Sequence, residues 1–365
     1  MPKRTPLYPE HLADGGRMVD FAGWELPLHY GSQLEEHRAV RECAGLFDVS
    51  HMTVIDLAGP RARDFLRVLV NNDVDRIGHP GGALYGCLLN PAGGIIDDLI
   101  VYRWSEREFR LVTNAATRAK VTEWIRRQGE PWGIVPRVAE DLAMVAVQGP
   151  RAREWSGAVL AAGLAEAATA LPPFSAVRDG RGQVARTGYT GEDGYEILVP
   201  AEAAADLWRR LRQAGAAPCG LAARDSLRLE AGMRLYGADM DETVTPAATG
   251  LQWTCDLRAA DRPFIGREAV AAEQAEGPRQ ELAGLTLEDK GVLRAGQTVE
   301  VPGLGSGIIT SGGYSPVLGR SVAFARLPAG AARIGSGRVT IRDQVKTVRI
   351  GTTRFLQQRA EAVQS

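Results

Sequence analysis

An internal repeat restricts the fold of this chain more than any other feature of its sequence. The segment VIDLAGPRAR at residues 54–63 returns ninety positions later, at residues 144–153, as MVAVQGPRAR. In both copies a short apolar strand leads into a Gly-Pro turn that opens a helix. After each copy the pattern of apolar residues predicts a hairpin, a second helix and a short closing strand. This order is the split β-α-β pattern, so we predict two ferredoxin-like α+β repeats.

The carboxyl-terminal part of the chain has a different pattern. Short apolar strands separated by Gly and Pro are predicted at residues 281–287, 298–301, 307–310, 322–327, 338–342 and 344–350. Regularly spaced short strands are typical of small all-β domains. We therefore predict a β-barrel or jelly-roll domain, joined to the repeats by an Ala- and Glu-rich helix near residues 268–276.

Composition narrows the classes of function. The 365 residues carry a formal charge of -1 and no run of like charge, so a basic surface for nucleic acid is not expected. Residues 1–6 lack the apolar segment of a signal peptide, and no apolar run is long enough to span a bilayer. Four scattered cysteines are typical of reduced thiols, and five scattered histidines lack metal-ligand spacing. We expect a cytoplasmic protein without a nucleic-acid partner, a membrane segment or a protein-held metal.

Two adjacent acids interrupt an apolar strand in the first repeat. In the sequence IIDDLIVY at residues 95–102, Asp97 and Asp98 point to opposite faces, because side chains alternate along a strand. Whichever face is inward carries a carboxylate, which needs a partner or a raised pKa, and such positions are common at functional sites. A turn at Gly93-Gly94 with Asp97 as its cap is the structural alternative.

The hairpin of the second repeat, at residues 187–198, also directs an acid toward an apolar face. Glu196 shares its strand face with Leu198. A carboxylate accepts two parallel hydrogen bonds from an amidine-like edge, so this position suits a ring with adjacent N–H and NH2 donors, as in pterins. A salt bridge to Arg224 or Arg228 is the structural alternative.

No covalent nucleophile is indicated. Ser50 and His51 are adjacent in sequence, which does not make them a hydrogen-bonded pair, and no Gly-x-Ser-x-Gly elbow occurs. The residue pattern by itself therefore favours a ligand-binding enzyme that works by positioning and electrostatics.

Five segments taken together resemble the glycine cleavage T-protein family. They are DFAGW at residues 20–24, AGLFDVSHM at 44–52, GIIDDL at 94–99, GYTGE at 188–192 and ARDSLRLEAG at 223–232. The similarity extends from about residue 5 to about residue 350, and the full set in this order is specific to that family.

The resemblance implies a three-domain cloverleaf around a central folate cavity. It implies an aminomethyltransferase that moves the methylene group of an aminomethyl-dihydrolipoyl arm on the lipoylated H-protein to tetrahydrofolate and releases ammonia. Its domains would be one α+β folate-binding domain from residues 1–50 with 140–245, a second from 51–139, a connection at 246–280 and a carboxyl-terminal β-barrel at 281–365. Tetrahydrofolate is the implied co-substrate, H-protein is the implied partner, and no metal is implied.

The resemblance also implies roles for individual residues. Asp98 would be the catalytic acid near the folate nitrogen that takes the carbon, either as a base or, as we favour, as electrostatic support for a cationic iminium-like species. Glu196 would bind the pterin edge, and Asp97 would keep a structural role. The folate or substrate cavity would be lined by Tyr85, Val112, Asn114, Tyr189, Arg224, Tyr236 and Met52.

The last part of the sequence departs from the family pattern. Family members usually have a Pro-Phe-Val-like segment and a nearby arginine that reaches the site, whereas residues 353–359 are TRFLQQR. Arg354 and Arg359 are the two candidates for that arginine.

Two related functions stay as alternatives to the aminomethyltransferase. One is a folate-dependent demethylase module, usually fused to a flavoprotein half, but no dinucleotide-binding motif precedes residue 50. The other is a non-enzymatic folate-binding factor of iron–sulfur assembly, which carries a Lys-Gly-Cys-Tyr-like motif. The nearest stretch here, residues 187–191, has no cysteine.

Overall fold

The computed structural model describes residues 1–180 and 182–356. Within them the strands, in chain order, are β1 (Lys3–Arg4), β2 (Arg17–Phe21), β3 (Trp24–His29), β4 (Gly45–Asp48), β5 (Thr53–Ala58), β6 (Ala83–Leu89), β7 (Ile95–Ser105), β8 (Glu108–Thr113), β9 (Arg137–Val138), β10 (Leu142–Gln148), β11 (Ala176–Asp179), β12 (Gly182–Ala185), β13 (Gly194–Pro200), β14 (Ala217–Pro218), β15 (Gln280–Leu287), β16 (Thr298–Val301), β17 (Gly305–Ser315), β18 (Arg320–Pro328), β19 (Ser336–Ile341) and β20 (Gln344–Gly351). The helices are α1 (Tyr8–Ala13), α2 (Gln33–Glu42), α3 (Ala62–Leu69), α4 (Arg118–Gly129), α5 (Ala152–Val159), α6 (Ala162–Thr169), α7 (Ala204–Gln213), α8 (Leu221–Ala231), α9 (Arg267–Glu276) and α10 (Ala331–Ile334).

The chain divides into two compact units. The first contains Met1–Gly86 and Asp97–Arg224, and the second contains Cys87–Ile96 and, among the described residues, 225–356. A small sheet of the order β1-β3-β2 belongs to the first unit. None of the helices within the described residues combines the length and the apolar character that a membrane span needs.

The first repeat forms a five-stranded sheet in the order β6-β7-β8-β5-β9. Strand β5 is antiparallel to both of its neighbours, and β7 is antiparallel to β8. The strands β9-β5-β8-β7 therefore have the arrangement of a split β-α-β unit, with β6 added at one edge. Helix α3 buries Phe65, Leu66 and Leu69 and contacts β8 and α4.

The second repeat forms a six-stranded sheet in the order β11-β12-β13-β10-β4-β14. Apart from β4, this order matches the first sheet strand for strand. Strand β4 comes from the amino-terminal segment and lies between β10, to which it is antiparallel, and β14, to which it is parallel. Helices α5, α6 and α7 contribute to a core around this sheet that includes the fully buried Trp208 and Leu211. The predicted α+β repeats are thus confirmed.

The Gly-Pro turn of the second copy depends on Gly149, whose φ is +133°. A Cβ there would lie 2.5 Å from the carbonyl oxygen of Val40 and 2.6 Å from that of Cys43. Since both are backbone atoms and the backbone is left-handed, we expect Gly149→Ala to lower the free energy of unfolding by about 2 kcal/mol or more. Gly157 in α5 has nothing within 4 Å of an added Cβ, so Gly157→Ala is expected to raise stability by up to about 1 kcal/mol. Chemical denaturation of both variants checks this, and equal stabilities would contradict it.

The second unit contains a closed barrel in the order β15-β18-β17-β16-β19-β20, with β20 paired to β15. Its interior is filled by apolar side chains, among them Leu285, Leu287, Val299, Ile309, Leu327 and Val348. Closure removes the free sheet edges that would otherwise pair with other chains. Each of the six strands overlaps one of the six segments predicted from the sequence, although β17 is longer at both ends than its segment. Of the predicted β-barrel and jelly roll, the structure has the β-barrel.

Candidate active site

Two carboxylates lie at the start of β7. Asp97 is fully buried, and its neighbour Asp98 is half-buried. The pairing of β7 with β8 begins at Leu99 and Thr113, so Asn114 follows the last paired residue and lies beside both acids. The side-chain amide of Asn114 donates to Asp97 Oδ1 at 2.8 Å and to Asp98 Oδ1 at 2.7 Å. One amide group therefore bridges the two carboxylates.

Asp97 has the partners of a structural carboxylate. Besides the amide, its Oδ2 accepts hydrogen bonds from the backbone N–H of Asn114 at 3.2 Å and from the hydroxyl of Thr117 at 2.7 Å. Thr117 directly precedes α4, so Asp97 connects β7 to the loop that begins this helix. Full burial closes Asp97 to a ligand.

Asp98 is the more accessible acid of the pair. The hydroxyl of Tyr85 donates to Asp98 Oδ2 at 2.9 Å, while Asn114 donates to Oδ1. These two side chains, each on a different element, fix the plane of the carboxylate. Its partial exposure leaves it open to a ligand.

Electrostatics set these acids apart from ordinary surface carboxylates. Burial raises the pKa of Asp97, and the adjacent charge of Asp98 raises it further, against the hydrogen bonds from Asn114 and Thr117. Burial also raises the pKa of Asp98, against the hydrogen bonds from Tyr85 and Asn114. Two negative charges this close and this buried repel each other, so a positive charge beside Asp98 would be strongly stabilised.

Glu196 lies on β13 and is half-buried. Its Oε2 accepts a hydrogen bond from the hydroxyl of Thr187 at 2.6 Å, and the structure assigns it no other hydrogen bond within the described residues. The salt-bridge alternative for this acid is therefore not realised with Arg224. Arg228 is fully buried in the second unit and pairs with Asp239 at 2.7 Å.

Arg224 and Tyr189 form a cationic and aromatic pair near Glu196. The guanidinium of Arg224 lies 4.7 Å from the centre of the Tyr189 ring. Burial lowers the pKa of Arg224, and the nearby Tyr189 and Glu196 side chains oppose this shift. An arginine keeps its proton under such a shift, so this cluster combines a fixed cation, a ring face and a carboxylate.

Three further residues predicted for the site, Val112, Met52 and Tyr236, lie on three different segments of the chain. Val112 is buried on β8, opposite Ile100 of β7 and Val54 of β5. Met52 is half-buried in the turn that leads to β5. Tyr236 belongs to the second unit, where its hydroxyl donates to the carbonyl oxygen of Ile95 at 3.2 Å.

Of the two candidate arginines near the end of the chain, Arg354 lies within the described residues. Arg354 is exposed in the second unit, and its backbone N–H donates to the hydroxyl of Thr352 at 3.2 Å. Arg359 lies outside the described residues.

Two family models match this chain. The model for the GCVT N-terminal domain matches residues 7–259, and the model for the glycine cleavage T-protein C-terminal barrel domain matches residues 280–356. The chain belongs to the glycine cleavage T-protein family. The resemblance noted in the sequence is confirmed by these matches, which cover both repeats and the barrel.

Individual members of the T-protein family are similar over nearly the whole chain. The aminomethyltransferase of Methylococcus capsulatus is 52% identical over 98% of this chain and 97% of its own length. The aminomethyltransferase of Nitrosococcus oceani is 54% identical over 91% of this chain and 89% of its own length. The crystal structure of the glycine cleavage system aminomethyltransferase T from Bartonella henselae superimposes with a TM-score of 0.90 at 31% identity, covering 98% of this chain and 99% of that one.

The structure of this T-protein family member adds three residues to the candidate site that the sequence prediction did not include. Thr187 and Tyr102 form the hydrogen-bond chain that ends on Glu196. His51 is almost fully buried, its Nδ1 has no hydrogen-bond partner within the described residues, and burial together with the charge of Arg224 lowers its pKa to about 4. Ser50 exchanges hydrogen bonds with the backbone of Met144 instead of pairing with His51.

The sequence carried a signal for two of these residues. Tyr102 occupies the same strand face as Asp98, and Thr187 opens the hairpin that carries Glu196. Among residues 1–180 and 182–356, no group of three or more His, Cys, Asp or Glu side chains is arranged to hold a metal ion.

Proposed function

We propose that this chain is the tetrahydrofolate-dependent aminomethyltransferase of a glycine cleavage system. In this reaction the methylene group of an aminomethyl-dihydrolipoyl arm on lipoylated H-protein moves to tetrahydrofolate, and ammonia is released. The observation that carries the proposal is the half-buried carboxylate of Asp98, held by Tyr85 and Asn114 beside a second buried acid. The match to aminomethyltransferases over nearly the whole chain supports it.

Asp98 acts in this proposal by charge and position. The carbon that is transferred becomes positively charged as its bond to nitrogen or sulfur lengthens. A carboxylate fixed by two hydrogen bonds needs no reorganisation to stabilise that charge, and a site of low polarity strengthens the interaction. Asp97 and Asn114 hold the strand and the carboxylate in place.

Glu196 binds the pterin edge of tetrahydrofolate in this proposal. The residues present fit such a ring. Oε1 of Glu196 keeps both lone pairs and Oε2 keeps one, so the carboxylate can accept two parallel hydrogen bonds from adjacent N–H and NH2 groups. The Arg224 and Tyr189 pair offers a cation and a ring face in the same unit.

The remaining residues complete the proposed cavity. Val112 and Met52 supply apolar surface in the first unit. Tyr236, which the resemblance also assigns to the cavity, belongs to the second unit, where its hydroxyl donates to the carbonyl oxygen of Ile95. Residues 1–50 with 140–245 and residues 51–139 would form the two folate-binding domains, with residues 246–280 as the connection to the barrel. Lipoylated H-protein is the macromolecular partner, nucleic acid and membrane are not, and the protein acts in the cytoplasm.

The proposal is tested by supplying the purified protein with aminomethylated H-protein and tetrahydrofolate. We expect ammonia and methylene-tetrahydrofolate to appear in equal amounts, and neither to appear at a comparable rate without the folate. Replacing the aminomethylated carrier with sarcosine or dimethylglycine is the control for the demethylase alternative. Absence of folate-dependent ammonia release would contradict the proposal, and turnover of a methylated amine would favour the alternative.

A further inference from the structure

We infer that Tyr102 and Thr187 are positioning residues that orient the carboxylate of Glu196 for its ligand. The inference rests on the proposed function and deepens it, because it explains how the pterin-binding acid is held. The three side chains form a continuous chain: the Tyr102 hydroxyl lies 3.1 Å from Thr187 Oγ1, which lies 2.6 Å from Glu196 Oε2. All three belong to the first compact unit.

The carboxylate of Glu196, at one end of this chain of hydrogen bonds, determines which group donates in each of them. An ionised carboxylate only accepts hydrogen bonds, so the hydroxyl of Thr187 must donate its single hydrogen to Glu196. The hydroxyl of Tyr102 must then be the donor to Thr187 Oγ1. Burial raises the pKa of Tyr102, so the phenol keeps the proton that this role requires.

Thr187 is held in place from its backbone side. The side-chain amide of Gln148 donates to the carbonyl oxygen of Thr187 at 3.1 Å, and its Oε1 accepts from the hydroxyl of Thr190 at 3.0 Å. The next residue, Gly188, lies so close that a Cβ there would come within 1.8 Å of Gln148 Oε1. This turn, from Thr187 to Thr190, therefore cannot relax easily when a ligand binds.

Tyr102, at the other end of the chain of hydrogen bonds, is fixed by its burial on β7. It is 1% exposed, and it lies on β7 four residues after Asp98, on the same face of the strand. The strand that presents the proposed catalytic carboxylate thus also provides the donor that starts the chain to Glu196. Strand β7 therefore carries Asp98 directly and, through Tyr102 and Thr187, supports the carboxylate of Glu196, which lies on β13. Such support from a regular element keeps two ligand-binding groups in a defined geometry.

The consequence for binding is a carboxylate that is ordered before the ligand arrives. A free glutamate side chain loses rotamer freedom when it binds, and that loss lowers affinity. Here Thr187 takes one lone pair of Oε2 and leaves the other lone pair of Oε2 and both of Oε1 for the ligand. The arrangement suits a ring edge with two adjacent donors, which is the chemical class of the 2-amino-4-oxo pterin edge.

The test measures binding of tetrahydrofolate to the intact chain by calorimetry under anaerobic conditions. Thr187→Val keeps the shape and removes the donor, and we expect the Kd to rise about tenfold while kcat at saturating folate changes less than about twofold. Thr187→Ser, which keeps the hydroxyl, is expected to restore the Kd to within about twofold of the wild type. Tyr102→Phe is expected to raise the Kd about threefold, and to have no further effect in the Thr187→Val background, because Tyr102 acts only through Thr187.

Thr122→Val is the matched control, since the hydroxyl of Thr122 on α4 has no hydrogen-bond partner within the described residues. Its folate affinity should equal that of the wild type.

If Thr187→Val proves unstable, the folate affinity of Tyr102→Phe alone tests the inference, because this substitution leaves a ring of the same shape in the core. An unchanged Kd in Thr187→Val or Tyr102→Phe, or a Kd in Thr187→Ser that is not restored, would overturn the positioning role of Tyr102 and Thr187 but not the proposed function. A wild-type protein that does not bind tetrahydrofolate would overturn the proposed function, and the positioning role with it.

Discussion

Asp98→Asn is expected to reduce kcat about 10²- to 10³-fold and to change the Kd for tetrahydrofolate less than about threefold. The substitution keeps the shape of the side chain and removes its charge. That charge is needed when the transferred carbon becomes positive, whereas the bound ground state makes little use of it. A loss confined to kcat is the signature of an interaction made in the transition state. Single-turnover ammonia release and calorimetric folate binding measure the two quantities separately.

Asp97→Asn is the control for this prediction, because it makes the same chemical change one residue away. Asp97 is fully buried and accepts hydrogen bonds from three donors, one of them the hydroxyl of Thr117. An asparagine there would place its own NH2 against a donor, so we expect lower stability before any specific loss of turnover. If Asp97→Asn lost turnover at unchanged stability while Asp98→Asn stayed active, the roles of the two acids would have to be exchanged.

The fold was predictable to the extent that local patterns determine it. The repeat around Gly59-Pro60 and Gly149-Pro150 and the regular strands after residue 280 were visible because strand phase and turn residues are local signals. Strand β11 and helix α6 were missed. β11 is a four-residue edge strand whose last two residues are exposed, and α6 is Ala-rich with little separation of polar and apolar faces. The place of β4 between β10 and β14 also carries no local signal, because these two partners lie about 100 and about 170 residues away in sequence.

The sequence analysis names individual residues for the candidate site, but it does not reveal the hydrogen bonds that join them. Strand alternation correctly separates Asp97 from Asp98, yet it does not show that Asn114 bridges them, because that contact depends on where the pairing of β7 with β8 begins. The contact between Tyr102 and Thr187 joins residues 85 positions apart in sequence, one on β7 and the other in the turn between β12 and β13. Such contacts arise from tertiary packing, which a single sequence does not display.

Glu196→Gln is expected to raise the Kd for tetrahydrofolate about 10- to 100-fold while kcat at saturating folate falls less than about fivefold. The glutamine loses the charge that strengthens the hydrogen bonds from the pterin. Its amide is also held in the wrong orientation, because the hydroxyl of Thr187 donates and therefore selects the amide oxygen. The NH2 group then faces the donor edge of the ligand, and two donors oppose each other.

Glu192→Gln is the control for this prediction, since Glu192 lies on the same hairpin and pairs with Arg41 at 2.9 Å. Its folate affinity should stay within about twofold of the wild type, as expected for a partly exposed ion pair away from the ligand. In the Thr187→Val background the glutamine amide is no longer held and can turn its oxygen to the ligand. The additional effect of Glu196→Gln should therefore be smaller there than in the wild type. A loss of kcat without a change in Kd would instead place Glu196, and not Asp98, beside the reacting carbon.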